Sequence, residues 1–244
     1  AYASKATGMQ IQVERIDLRF PLNLLVRGVE VIQQPDTLLS LESLNVRVQA
    51  WPLLKGKVEV DDVTLSQVAV NSADLIEGMQ IKGVLGRFFL QSHGVDLSNE
   101  TAVVNRTELS DTHIQLLMTD TTTTPKDTTA SAPVNWKVNL HQLKLKNVSF
   151  GMKLPADSMK MAAYIGEATI DDAKADLKNQ FYGLKQFLLS GASASYDTGE
   201  AQPSEGFDAS HMAVRNIRIG LDSLLYEGRN MNAVIRERTM DERS

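Results

Sequence analysis

From residue 134 to residue 154 the chain reads VNWKVNLHQLKLKNVSFGMKL, an alternation of apolar and polar positions that slips by one residue in two places. Val134, Trp136, Val138 and Leu140 keep step until the polar pair His141-Gln142, after which Leu143 and Leu145 begin a new phase. Lys146-Asn147 is a second polar pair, and Val148, Phe150, Met152 and Leu154 follow it. Side chains along a strand point to alternate faces, so an uncompensated slip would throw every later apolar group into water. Two compensations are available: a turn that reverses the chain, or a bulge or bend that leaves two consecutive residues outside and returns the next to the same interior. Two-residue turns favour pairs such as Asn-Gly or Asp-Gly. His-Gln and Lys-Asn have no glycine, which favours bends. A straight strand of this length would also reach about 65 Å at about 3.3 Å per residue, far beyond the usual strand of about 5–6 residues.

The same punctuation recurs along the chain. Residues 57 to 70 give Val58 and Val60, the pair Asp61-Asp62, Val63 and Leu65, the pair Ser66-Gln67, then Val68 and Val70. Residues 9 to 20 reset at Glu14-Arg15, residues 39 to 48 at Glu42-Ser43, and residues 207 to 228 at Ser210-His211, Arg215-Asn216 and Asp222-Ser223. Short apolar runs joined by polar corners predict an extended β structure whose neighbouring segments stack on one shared interior. The pattern predicts an all-β protein, mainly strand with a few short helices, built as an elongated, curved antiparallel sheet. Its helix candidate is Asn71 to Gly78, where Asn71 or Ser72 would cap and Gly78 would terminate. Residues 154 to 181 could contain helix by propensity, but Ile165, Ala168, Ile170, Ala173, Ala175 and Leu177 match the reset-strand template as well, and the stretch is read as mostly strand.

Two stretches carry no periodicity. The Thr-rich, Pro-interrupted run 119–133 reads as a flexible loop dividing an N-terminal part, 1–118, from a C-terminal part, 134–244, and residues 200 to 206 form a shorter spacer. The closing residues RERTMDERS stop without a turn or a closing strand, so the C-terminal part is read as truncated and the chain as a piece of something longer.

Composition narrows the function classes. Of the 244 residues 43% are hydrophobic, ample for a sizeable core, and a formal charge of -5 argues against a nucleic-acid partner. The absence of cysteine excludes disulfides, zinc-thiolate sites and cysteine nucleophiles, and suits an oxidising compartment. No apolar run approaches the ~20 residues of a bilayer span, and the first residues have no signal-peptide pattern.

Candidate chemistry is sparse. His93, His113, His141 and His211 lie far apart with no metal-ligand spacing, and no cofactor or metal is expected. Asp61-Asp62 and Asp171-Asp172 could suggest paired catalytic carboxylates, but both occupy polar corners and read as solvated turn residues. Nucleophile elbows, P-loops and dinucleotide fingerprints are missing, so no enzyme is expected. The sequon-like triplets at Asn99, Asn105 and Asn147 carry no weight in a chain rich in Asn and Thr.

The interior itself remains. A closed sandwich core and an open trough both satisfy the alternation. In the trough, stacked U-shaped strands bend at the polar corners and line a half-pipe with aliphatic side chains. The candidate lining is Val58, Val60, Val63, Leu65, Val68, Trp136, Val138, Leu140, Leu143, Leu145, Val148 and Phe150. Such a surface suits acyl chains, since each methylene withdrawn from a membrane needs about 0.8 kcal/mol of compensation. A closed adhesin or carbohydrate binder ranks last, because only 6% of residues are aromatic and Trp51 and Trp136 fall at strand-end or inward positions.

The stretches IDLRFPLNLLVRGVEV and DTLLSLESLNVRVQAWPLLKGKVEVDDVTLSQVAV resemble the N-terminal part of the TamB/AsmA-like family of Gram-negative envelope proteins. The resemblance rests on Leu18, Pro21-Leu22, Gly28-Val29 and Val31, then Asp36 to Leu39, Leu44, Val46 and Val48. It continues through Pro52 to Leu54, Gly56, Val58, Val60, Val63, Leu65 and Val68. MAVRNIRIGLDSLLYEGRNMNAVI is similar to later strand pairs of such proteins, and VNWKVNLHQLKLKNVSF resembles the long homologues of the Bacteroidetes. The resemblance is weakest across residues 155 to 205.

What the resemblance implies is a periplasmic, inner-membrane-anchored protein with an open, U-shaped "β-taco" groove and an apolar interior. Family members carry phospholipid between inner and outer membranes. An alternative role is as a scaffold or chaperone for assembly of outer-membrane proteins. The implied partners are phospholipid acyl chains, an outer-membrane TamA-like barrel engaged through a C-terminal region missing here, and the inner membrane through a missing N-terminal anchor.

Overall fold

The computed structural model describes residues 9–20, 22–49, 51, 60–76, 78–96, 99–118, 135–155, 158–200, 208, 210–228 and 230–243. They form twelve strands: β1 (Gln10–Arg19), β2 (Asn23–Gln33), β3 (Asp36–Val48), β4 (Val60–Asn71), β5 (Met79–Asp96), β6 (Thr101–Met118), β7 (Lys137–Leu154), β8 (Met159–Asp176), β9 (Phe181–Leu184), β10 (Gln186–Asp197), β11 (His211–Glu227) and β12 (Asn230–Arg243). All belong to one curved sheet in chain order, with short β9 set between β8 and β11 beside β10. The all-β expectation holds.

Every join is antiparallel except β6 to β7, which is parallel and links Thr101↔Lys137 through Leu117↔Lys153. The parts 1–118 and 134–244 are thus hydrogen-bonded to each other directly. The Thr-rich loop assigned to 119–133 and most of the spacer 200–206 lie outside the described residues.

The polar pairs of the sequence become a crease. On β7 the register with β8 passes from Lys146↔Glu167 to Val148↔Ile165 and leaves Asn147 and Gly166 unpaired. The same omission is aligned across neighbouring strands at Glu14, Gly28, Glu42, Gln67, Gly86 and Asp111. Beyond β8 it continues less regularly through Gly191 and Asn216. Gly28, Gln67, Asp111, Asn147, Gly191 and Asn216 adopt positive φ, the left-handed conformation that absorbs one extra residue. Gly86 serves a different need: a Cβ there would lie 2.6 Å from the Asp111 Cβ, so only glycine permits the close approach.

A second crease answers the earlier slip at His141. Asn105, His141 and Asp172 drop out of register together, with Asp61 and Asp222 at matching places on β4 and β11. Here β9 and β10 part at Lys185.

The described residues of the helix candidate, 71–76 and 78, are not helical. The Ser72 N–H donates to the Ile81 carbonyl and the Ser72 hydroxyl accepts from Ile81 N–H, so Ser72 closes the β4–β5 hairpin instead of capping a helix. Asn71 Oδ1 accepts from Ala73 N–H, a local turn that competes with helix. Ser210-His211 marks the start of β11 rather than a crease.

Among the described residues the buried apolar side chains are Leu38, Ala168 and Ala192, at 6%, 4% and 4% exposure, and no large side chain is fully buried. Among the described residues no second layer of sheet covers the first, which removes the closed-sandwich alternative for them.

Two substitutions test the crease. Gly86→Ala should lower the urea-derived stability by about 1–3 kcal/mol through overpacking against Asp111, whereas Gln67→Gly, relieving φ +49, should raise it by about 0.5–1 kcal/mol. Equal small effects from both would contradict a sterically defined crease.

Candidate functional site

Directly paired residues on adjacent strands share a face, so the register assigns each apolar position to a side. One row runs across ten strands as Ile16, Val26, Leu44, Leu65, Phe88, Leu109, Leu145, Ala168, Leu189 and Ile219. A parallel row runs Leu18, Leu24, Val46, Val63, Leu90, Thr107, Leu143, Ile170, Phe187, Leu221 and Ile235.

Across the first crease the rows resume on the same face. Leu41, Val68, Leu85, Thr112, Val148 and Ile165 form the next, and Val70, Gly83, Ile114, Phe150, Ala163 and Ala194 the one beyond. The one-residue insertion thus restores the apolar face.

The structure brings the sequence-assigned lining residues together on this face. Val63 and Leu143 share one row, Leu65 and Leu145 another, Val68 and Val148 a third, with Phe150 alongside. Val60 pairs with Val48, Leu140 lies between Val104 and Ala173, and Val138 between Ala102 and Ala175. Trp136 sits just before β7, partly covered, its carbonyl accepting from Leu177 N–H. Val58 lies outside the described residues. Sequence reasoning missed Leu44, Leu85, Phe88, Leu90, Leu109, Ile165, Ile170, Phe187, Leu189, Ile219 and Leu221, although the same alternation identifies them.

The rows run perpendicular to the strands. At about 4.8 Å per strand, eleven strands extend them over about 48 Å. Toward one strand end the face becomes methionine-rich, with Leu116, Met152, Met161, Tyr196 and Met212 in a single row. At the other end Tyr182 and Tyr226 meet in a tilted arrangement with ring centroids 5.8 Å apart. Flexible thioethers and aromatic faces conform to irregular apolar shapes.

The opposite face is polar and holds the charged crease residues. The Lys185 ammonium donates to Asp172 at 2.7 Å, and His141 Nδ1 lies 3.0 Å from the other Asp172 oxygen. Gln142 donates to Asp171 at 3.2 Å and Gln49 to Asp61 at 2.6 Å, while Arg47 Nε donates to the nearly buried Asp62 at 2.7 Å. Asp172 and Lys185, with His141 and Phe181, border a concavity of about 950 Å³. The acidic corner pairs therefore tie segments together instead of only meeting solvent, and they do not converge as a catalytic dyad: each partners a basic or amide group on or next to a neighbouring strand.

No protein-family model matches the chain, and no curated protein matches it significantly.

The Lys185 hydrogen bond, followed by that of His141, holds the Asp172 carboxyl below its ordinary 3.8, against the opposing effect of desolvation. The same Asp172 contact raises Lys185 above its ordinary 10.5. A lowered carboxylate contributes stability above its ordinary pKa and loses it as pH falls through the lowered one. A raised ammonium contributes below its ordinary pKa and loses it as pH rises through the raised one. The stability difference between the wild type and Asp172→Asn should accordingly be present at neutral pH, fade on acidification below pH 3.8 and fade again above pH 10.5. A urea midpoint series against pH measures it. A difference that persists in strong acid would show that Asp172 acts through something other than its charge.

Proposed function

We propose that this chain is a section of a periplasmic hydrophobic-groove protein that carries phospholipid between the inner and outer membranes, with the curved sheet's apolar face as the track and no residue performing chemistry. The observation that carries the reading is the set of predominantly apolar rows, aligned across up to eleven strands and covered by no second layer among the described residues. A face of this extent exposed to water is unfavourable at about 25 cal/mol per Å² and favours an apolar occupant. Acyl chains fit because the rows are continuous and nearly free of polar side chains. A chain lying along them meets equivalent aliphatic contacts at every strand, so it can advance without crossing a specific pocket.

The resemblance to the TamB/AsmA-like family adds the wider setting to the proposal: an inner-membrane anchor, a Gram-negative periplasm and a TamA-like outer-membrane barrel as partner. All three rest on that resemblance alone.

One observation favours a second reading, a scaffold for outer-membrane proteins. The outer edge of β1 has no neighbour among the described strands, and its Ile16 and Leu18 are 63% and 71% exposed. Such an edge can accept a client strand. That reading expects crosslinks from β1 backbone positions to unfolded barrel-protein segments.

The decisive experiment is native mass spectrometry of the chain purified from cells, followed by organic extraction of bound lipid. The wild type should retain phospholipid, and Leu145→Asp or Leu65→Asp should reduce retention at least about tenfold, because an unpaired charge on the apolar track costs more than the 1.4 kcal/mol that this factor represents. Lys144→Asp, on the polar face of the same strand, should retain it. A lipid-free wild type that takes up none from liposomes would overturn the track and leave the scaffold.

A further inference from the structure

The polar face is not uniformly polar at the end of the sheet where β7 turns into β8. Lys153 on β7 and Lys160 on β8 are direct cross-strand partners. Like charges placed opposite each other in a sheet are destabilising unless something neutralises them. Among the described residues that line this end, the carboxylate is Asp197, which lies at 4.0 Å from the Lys160 ammonium and is shared with His211, whose Nε2 is 3.4 Å away. Lys82 on β5, two strands from β7 and so about 10 Å distant, belongs to the same concavity, which encloses about 560 Å³. Among the described residues, three lysines therefore border a concavity with one carboxylate, Asp197, which already has a second partner.

The floor between them is kept low. Gly151 and Ala162 are direct partners there, and the nearest heavy atom to a Cβ built on Gly151 is Gln115 Cγ at 3.9 Å. Leu117, cross-strand from Lys153, provides an apolar wall. The space is open, positively bordered and amphipathic.

We propose that Lys82, Lys153 and Lys160 form a binding site for the phosphate group of a phosphate ester. Lysines are compact point charges that approach a phosphate from separate directions, whereas a planar carboxylate is better matched by an arginine fork. Among its described lining residues there is no arginine. It stands on the polar face and does not depend on what occupies the apolar one. The phosphate can come from a soluble ester or from a phospholipid headgroup at a bilayer surface.

Two arms separate these sources. In the first, sn-glycerol 3-phosphate is titrated into the purified chain at low salt by calorimetry. In the second, the chain is floated with vesicles of phosphatidylcholine alone or mixed with phosphatidylglycerol. Lys153→Gln/Lys160→Gln should weaken binding at least about tenfold, the loss expected for one or more charge-assisted contacts. Lys144→Gln/Lys146→Gln, removing two lysines elsewhere on β7, should change it little. The first double variant also removes a like-charge pair, so its urea midpoint should stay level or rise, which separates a lost site from a lost fold. Saturable binding in the first arm identifies a site for small phosphate esters. Flotation with phosphatidylglycerol alone identifies a headgroup site. No binding in either arm, or equal loss in both double variants, overturns the proposal.

Discussion

Everything in this sheet depends on the side-chain period of two and on what happens when one residue is inserted into it. A single strand with an extra residue would present its later apolar groups to the wrong face. The insertion is tolerated here because each neighbour makes it at the same place, so the unpaired residues form a line. That alignment sets steric terms on the positions it crosses. One strand supplies a left-handed residue such as Gln67, Asp111 or Asn147, and its antiparallel neighbour a residue that leaves room for it. At Gly86 the room is lost to any Cβ, and at Gly166 a Cβ would meet the Gly191 carbonyl oxygen at 2.9 Å. The edge strand illustrates the converse. β12 has no extra residue at the first crease, and there Arg238 and Glu242 pair with Ile219 and Val214. Charge enters the apolar rows where the insertion ends, which also discourages a further strand from adding to that edge.

A sheet held in this way has little of an ordinary core. Its cohesion comes from backbone ladders, aliphatic pairs along the rows and polar ties across the creases, such as the Asn147 amide donating to Asp111 at 2.7 Å. Cross-strand pairs each contribute about 0.2–1 kcal/mol, so stability is spread along the sheet instead of concentrated in a few buried side chains. Local pairing of this kind resembles the nearest-neighbour energetics of repeat proteins, in which length can grow without a central core. It leaves a large apolar surface available to another molecule.

Much of this was legible in the sequence, because alternation and its slips are local. The polar pairs at Glu14, Glu42, Gln67 and Asn147 mark the crease, and the candidate residues from Val60 to Phe150 share a face because they keep phase across it. Other features were not legible for physical reasons. Gly28, Gly86 and Gly166 occupy the same crease without a conspicuous polar pair: Gly28 adopts a left-handed φ, while at Gly86 and Gly166 glycine is demanded by a close backbone approach that only the neighbouring strand reveals. The parallel join of β6 and β7 depends on the path of the chain between them, which alternation does not encode. Asn71 to Gly78 carries cap and stop residues, but Ser72 forms a hairpin bridge to Ile81 instead. The ties among His141, Asp172 and Lys185 bring together residues from three parts of the chain, so the acidic corner looked merely solvated.

The two faces divide the demands that an amphiphile makes. An acyl chain needs a continuous apolar surface, and every insertion that bends the sheet threatens that continuity. Placing both residues of each polar pair outward resolves the conflict: the bend is made from residues that never enter the apolar rows, while the next aliphatic residue returns to them. The same device concentrates polar groups on the far side, where His141, Asp172 and Lys185 can pair away from the track. On the reading proposed here, the crease is therefore what allows a long track to curve and stay apolar. It also explains why no single residue stands out as a site, because equivalent contacts at each strand are what movement along the rows requires.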